Sequence, residues 1–240
     1  MSTLPEVRLA ILYEKDTFGE SAAVAAVNDA MNQKLKIGFY GSFEPVNPNL
    51  NNLKLQAEEI ANKNIHLIYL ISNEPQTAIQ LVKALRENIP ADEIPILLGQ
   101  SGAFASQEFL NAPEAQNMLI LRQKIISDHC PSKFLIQAES YASIELLNYA
   151  IQKAKSDAGN VYTKQTIAQK RDAVRNVLKE TSNKTVSCLG VVSFDNTGQN
   201  TNLDFELLKV TSGGFISIEA DDLKSLLTTV YNRSGFGPGN

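Results

Sequence analysis

The sequence predicts an α/β protein built on a parallel, doubly wound sheet. Three observations carry this. Short apolar runs alternate with longer helical patterns from about residue 7 to 121. The first run, Arg8–Leu12, has a single charge and is too short for a helix, which fits a strand buried on both faces. The helical stretches carry one apolar face each, as crossover helices do when they pack on a sheet.

In order, strands are expected at 8–13, 35–40, 65–71, 94–98 and 117–121, and helices at 20–33, 50–64 and 76–88, with a short one near 106–110. The stretch 50–64 places Leu53, Ala57, Ile60 and Ala61 on one face, and 76–88 does the same with Ile79, Val82, Ala84 and Leu85. Between the first strand and its helix, residues 13–19 read as a polar loop with two aromatics. Pro90 and Pro95 bracket the entry to the fourth strand.

The alternation stops near Lys124. Residues 122–137 have no clean period and read as a crossover between lobes. Helices at 138–155 and 163–181 then follow without an intervening strand. The last part reads as a strand at 190–195, a turn at 196–200 with Gly198 suited to positive φ, strands at 203–210 and 215–218, and a helix at 221–231. The expected organisation is an α/β domain over 1–121, the crossover 122–137, a helical part 138–189, a C-terminal hairpin and helix 190–231, and a disordered tail 232–240.

Composition narrows the function classes. Hydrophobic residues make up 43% and charged residues 20% of the chain, enough for a sizeable core. The net charge of −4 lacks the basic excess of a nucleic-acid binder. No run reaches the roughly 20 apolar residues of a membrane span, and MSTLPEVR does not read as a secretory signal. Cys130 and Cys188 match no zinc spacing and are expected to be unpaired thiols. His129 has no second ligand at metal spacing, and His66 sits in an apolar strand as a core or edge residue. There is no glycine-rich dinucleotide fingerprint, no phosphate loop and no nucleophile elbow. Neither a cofactor nor a metal is expected. The charged helix 163–181 reads as a solvated face.

Three stretches in the same order resemble the type I periplasmic binding proteins, the branched-chain amino-acid binding family shared with receptor ligand-binding domains. They are LAILYEKDTFGESAAVAAVNDAM (9–31), AESYASIELLNYAIQKAK (138–155) and GVVSFDNTGQNTN (190–202). The resemblance implies lobe two of a two-lobed Venus-flytrap domain plus the returning part of lobe one, with a Rossmann-like or flavodoxin-like sheet. It also implies that the opening half of lobe one is absent from this chain. The family's Tyr-Asp-Ala is replaced by Tyr141-Ala142-Ser143, so an acid is lost there.

The resemblance further implies a non-enzymatic binder that closes over an amino acid or related small solute in an inter-lobe cleft. Such a protein serves an ABC importer permease or a fused signalling domain outside the cytoplasm. Its implied contacts are Tyr13, Asp16 and Phe18 after the first strand, Ser72 and Asn73 after the third, Gln100 and Ser101 after the fourth, and Tyr141 on the returning helix. Aromatic rings cover apolar groups, and carboxylates and amides meet polar ones. The neutral Gln100–Ser101 region stands where an acid often meets a ligand ammonium in amino-acid binders of the family. Arg122 and Gln123 read as hinge candidates. Two other readings stay open: a degenerate single-lobe scaffold that self-associates as a homodimer, and a Rossmann-like enzyme.

Overall fold

A computed structural model describes residues 7–100, 102–126, 130, 135–212 and 214–233. The chain forms two compact units. Residues up to Arg122 and from Glu206 make the first, and Gln123–Phe205 make the second. The segment 190–231, read from sequence as one C-terminal piece, is shared between them.

The first unit holds the sheet. Its strands are β1 (Arg8–Glu14), β2 (Lys36–Phe43), β3 (Leu67–Ile71), β4 (Ile96–Gln100), β5 (Leu119–Gln123), β8 (Phe205–Thr211) and β9 (Gly214–Ser217), in the spatial order β2-β1-β3-β4-β5-β8-β9. The pairs β1–β2, β1–β3, β3–β4 and β4–β5 are parallel, and β8–β9 is an antiparallel hairpin. The crossover helices are α1 (Thr17–Asn32), α2 (Leu50–Ala61) and α3 (Pro75–Asn88); the short α4 (Gln107–Leu110) and the later α7 (Ala220–Arg233) complete the unit. α7 continues past the expected end at 231; residues 234–240 of the expected tail lie outside the described residues.

Right-handed crossovers send α1 to one face of the sheet and α2 and α3 to the other, because the chain moves outward from β1 to β2 and then back across β1 to β3. The α1 face is an apolar cluster of Leu9, Ile11, Ala23, Ala30 and Ile71, with Tyr13, Val27 and Tyr69 packed on it. Period-two alternation turns Ala10, Leu12 and Glu14 to the opposite face. His66 is buried just before β3, and its Nδ1 accepts the backbone N–H of Arg8 at 2.9 Å. That hydrogen bond is why a histidine is tolerated in an apolar stretch.

The second unit contains α5 (Leu135–Ala158), a 3₁₀ segment (Gly159–Lys164), α6 (Ile167–Lys179) and the two-stranded hairpin β6 (Lys184–Val186) and β7 (Gly190–Val192). α6 starts with a capping box between Thr166 and Gln169 and buries none of its residues, as its charge pattern predicts. Ala142 of α5 packs with Val186 and Val192 of the hairpin, against Leu146, Leu189 and Phe194. β6 has no counterpart in the sequence reading, which took 138–189 as helical. The expected strand at 190–195 ends at Val192, and Gly198 does adopt φ +88°.

One expectation is overturned. Cys130 and Cys188 are not free thiols but a disulfide, closing 58 residues of chain with a Cα–Cα distance of 4.4 Å. Cys188 lies in the tight turn between β6 and β7, where Ile126 bridges to it through the backbone. The hairpin thus delivers one cysteine to the segment that carries the other. Two cysteines make no framework on count alone, and the short β6 that creates this proximity leaves little trace in the sequence.

Candidate functional site

The strand order reverses direction between β1 and β3, so the loops after these two strands leave for opposite faces and open a crevice at their C-terminal ends. In open α/β sheets this is the place where ligands bind. Four of the eight residues proposed from sequence, Asp16, Phe18, Ser72 and Asn73, lie at these two strand ends.

β1 runs one residue further than expected, to Glu14, and α1 begins at Thr17. The expected seven-residue loop is therefore Lys15 and Asp16 alone. Asp16 is the N-cap of α1: its Oδ1 accepts the backbone N–H of Gly19 at 2.6 Å. Its Oδ2 accepts the side-chain amide of Asn73 at 3.2 Å, which links the loop after β1 to the loop after β3. The carboxylate is thus committed to helix α1 and to Asn73, with part of its surface still open.

Gly19 is fully enclosed. A Cβ built at this position would lie 1.9 Å from the carbonyl oxygen of Glu14. The first turn of α1 sits directly on the end of β1, and only a glycine permits that approach. Phe18, one residue earlier, is turned out of the core and is 42% exposed.

Glu14, which was not singled out from the sequence, lies at the centre of the crevice. It is 1% exposed. Its Oε2 accepts the Ser72 hydroxyl at 2.6 Å, the Asn73 backbone N–H at 2.7 Å and, more weakly, that of Glu74 at 3.4 Å. These donors stand just before α3, whose N-cap Glu74 makes no side-chain cap. The carboxylate thus ties the end of β1 to the residues that lead into α3. The alternation Ala10, Leu12, Glu14 was the signal available in the sequence: it places an acid on a buried face.

Ser72 is fully buried and engaged with Glu14, so it builds the crevice floor. Asn73 is exposed. The loop after β4 closes on the same place: Gly102, at φ +109°, lies beside the Ser72 carbonyl, and the Ala103 N–H donates to that carbonyl at 3.4 Å. Gln100 ends β4 beside Leu121 of β5, and its Oε1 is buried without a donor. Ser101 lies outside the described residues. Further along the rim, the Gln76 amide donates to Glu108.

Tyr13 faces the α1 side and stacks against Tyr40 of β2, with ring centroids 5.1 Å apart at 43°. Burial, a hydrogen bond with Tyr13 and the nearby Glu20 together push the Tyr40 hydroxyl up to about 12. Tyr141 belongs to the second unit, well inside α5 rather than at its start, and is 47% exposed. Arg122, a hinge candidate, ends the first unit in an ion pair with Glu206 at 2.8 Å and lies over the Phe215 ring.

No protein-family model and no curated protein matches the chain. Solved structures do. An extracellular ligand-binding receptor from Rhodopseudomonas palustris superposes with a TM-score of 0.70 at 17% identity, over 89% of this chain and 63% of its own. A putative branched-chain amino acid ABC transporter protein from Rhodospirillum rubrum gives 0.66 at 18% identity, over 89% and 61%. An ABC transporter substrate-binding protein from Desulfitobacterium hafniense, in complex with Leu, gives 0.59 at 15% identity, over 89% and 61%. The chain therefore has the type I periplasmic-binding-protein fold, and it spans less than two thirds of the length of these structures.

Proposed function

We propose that this chain is the solute-recognising part of an extracytoplasmic binding protein and that it takes an amino acid or related small molecule without chemical conversion. The observation that carries the reading is the rim at the β1/β3 crevice. Phe18 offers an exposed ring, while Asp16, Asn73 and Glu74 offer mainly oxygen acceptors. Such a rim suits a solute with hydrogen-bond donors, an ammonium group included, beside an apolar part.

The fold neighbours are ligand-binding receptors and transporter binding proteins, and that likeness supports a partner permease or a sensor role. The disulfide supports an oxidising compartment, where such bonds form and persist.

The test is calorimetric titration of the purified chain with individual amino acids, preceded by native mass spectrometry to catch a co-purified solute. Binding to at least one is expected, with Phe18→Ala and Asn73→Ala weakening it without unfolding the chain. Asp16→Asn separates two roles: it preserves the cap, so loss of affinity at unchanged stability assigns the carboxylate to the ligand. Tyr141→Ala tests the contact implied by the family resemblance. No binding by any amino acid, or binding that Phe18→Ala and Asn73→Ala leave intact, overturns the site.

A further inference from the structure

β2 forms one end of the sheet and, among the described residues, pairs on one side only, with β1. Its outer side opens onto a groove of about 540 Å³ lined by Gly38, Phe39, Tyr40, Gly41, Gln56 and Lys63. Two glycines let neighbouring side chains close in on the strand. A Cβ at Gly38 would lie 2.6 Å from the end of Ile65, and one at Gly41 would lie 2.3 Å from Oε1 of Gln56. The Gln56 amide nitrogen donates to the Ser42 carbonyl and to Asn52, but its Oε1 is buried with no donor. Tyr40 on the strand is exposed, as are Val24 and Met31 on α1 and Leu55 on α2, the helices that precede and follow it in the chain. Soluble proteins protect a sheet edge or pair it.

We propose that β2 pairs antiparallel with β2 of a second copy, centred on Tyr40, so that the two seven-stranded sheets become continuous. The charges at the strand ends favour a second copy over an unrelated peptide. With Tyr40 opposite its own counterpart, Lys36 of each copy stands opposite Glu44 of the other, and both pairs are generated by one twofold axis. Among the described residues Glu44 meets Lys15 in an exposed ion pair at 3.6 Å, which costs little to exchange. The incoming strand brings backbone N–H donors to the groove where Gln56 Oε1 has none.

Sedimentation velocity on the chain tests this. A monomer–dimer equilibrium is expected. Lys36→Glu sets like charges opposite each other at two places and should raise the dissociation constant about tenfold or more. Glu44→Lys should do the same, and the double variant should restore dimerisation. All these positions are exposed, so folding is not at stake. A chain that stays monomeric at every concentration overturns the proposal. So does a dimer that the charge reversals leave intact. Ile144→Asp on the exposed side of α5 then reports whether that dimer uses the second unit instead.

Discussion

The Glu14 carboxylate accepts the Ser72 hydroxyl at 2.6 Å and so ties the end of β1 to the end of β3 across 58 residues of sequence. Asn73 and Glu74 add their backbone N–H groups to the same oxygen. Removing the acceptor strands buried donors. Glu14→Ala should cost about 2–4 kcal/mol of stability, and Glu14→Gln less, because an amide oxygen still accepts. Urea denaturation measures both. A Glu14→Ala variant as stable as the parent chain would show that the carboxylate has no special role.

Gly19 faces the carbonyl of Glu14. Gly19→Ala gains helix propensity, but the collision forces α1 away from β1. A net loss of about 2 kcal/mol or more is expected, with amide chemical-shift changes concentrated at residues 14–20. A stabilised variant would contradict the close approach.

The Tyr40 hydroxyl is raised to about 12 from its ordinary value of 10.0. The unfolded chain releases this proton first, so the folded state loses stability as pH rises through that interval. Below it the contribution is fully present. Tyrosinate absorbance should show a late-titrating group that Tyr40→Phe removes. Tyr13→Phe should move the group back toward 10.0, since the hydrogen bond with Tyr13 is one of its causes.

The Cys130–Cys188 bond closes 58 residues. Reduction should release chain entropy in the unfolded state worth up to about 4 kcal/mol. Hydrogen exchange should show loosening around β6 and β7, while β1 and β3 stay protected. Uniform loosening of both units would show that they do not unfold separately.

Much of the fold was legible because the strands of the first unit are apolar runs and its helices carry one apolar face. Both patterns are local. Helix starts were less legible: Asp16 reads equally as a ligand group or as a cap, and only the position of the Gly19 N–H shows that it caps. Glu14 was hidden for a related reason. Its acceptors and donors meet across the sheet, and sequence shows a polar residue next to a loop. The disulfide was missed because a three-residue strand, β6, brings its cysteines together. Ser72 and Asn73 follow β3, the strand after which the sequence reading put them. Their division of labour, one buried under the rim and one exposed on it, depends on packing that no local pattern records.

The contact of Gly19 with the Glu14 carbonyl also bears on how sequences carrying this fold diverge. Side chains on the rim are free to vary, but the crossing of backbone over backbone is not. An acid at 14, a cap at 16 and a glycine at 19 form one geometric unit, E-x-D-x-x-G. At an overall identity of 17%, as between this chain and the receptor whose fold it shares, a spacing fixed by steric exclusion is expected to persist where rim side chains do not. That spacing is the sequence trace of the close approach of α1 to the end of β1.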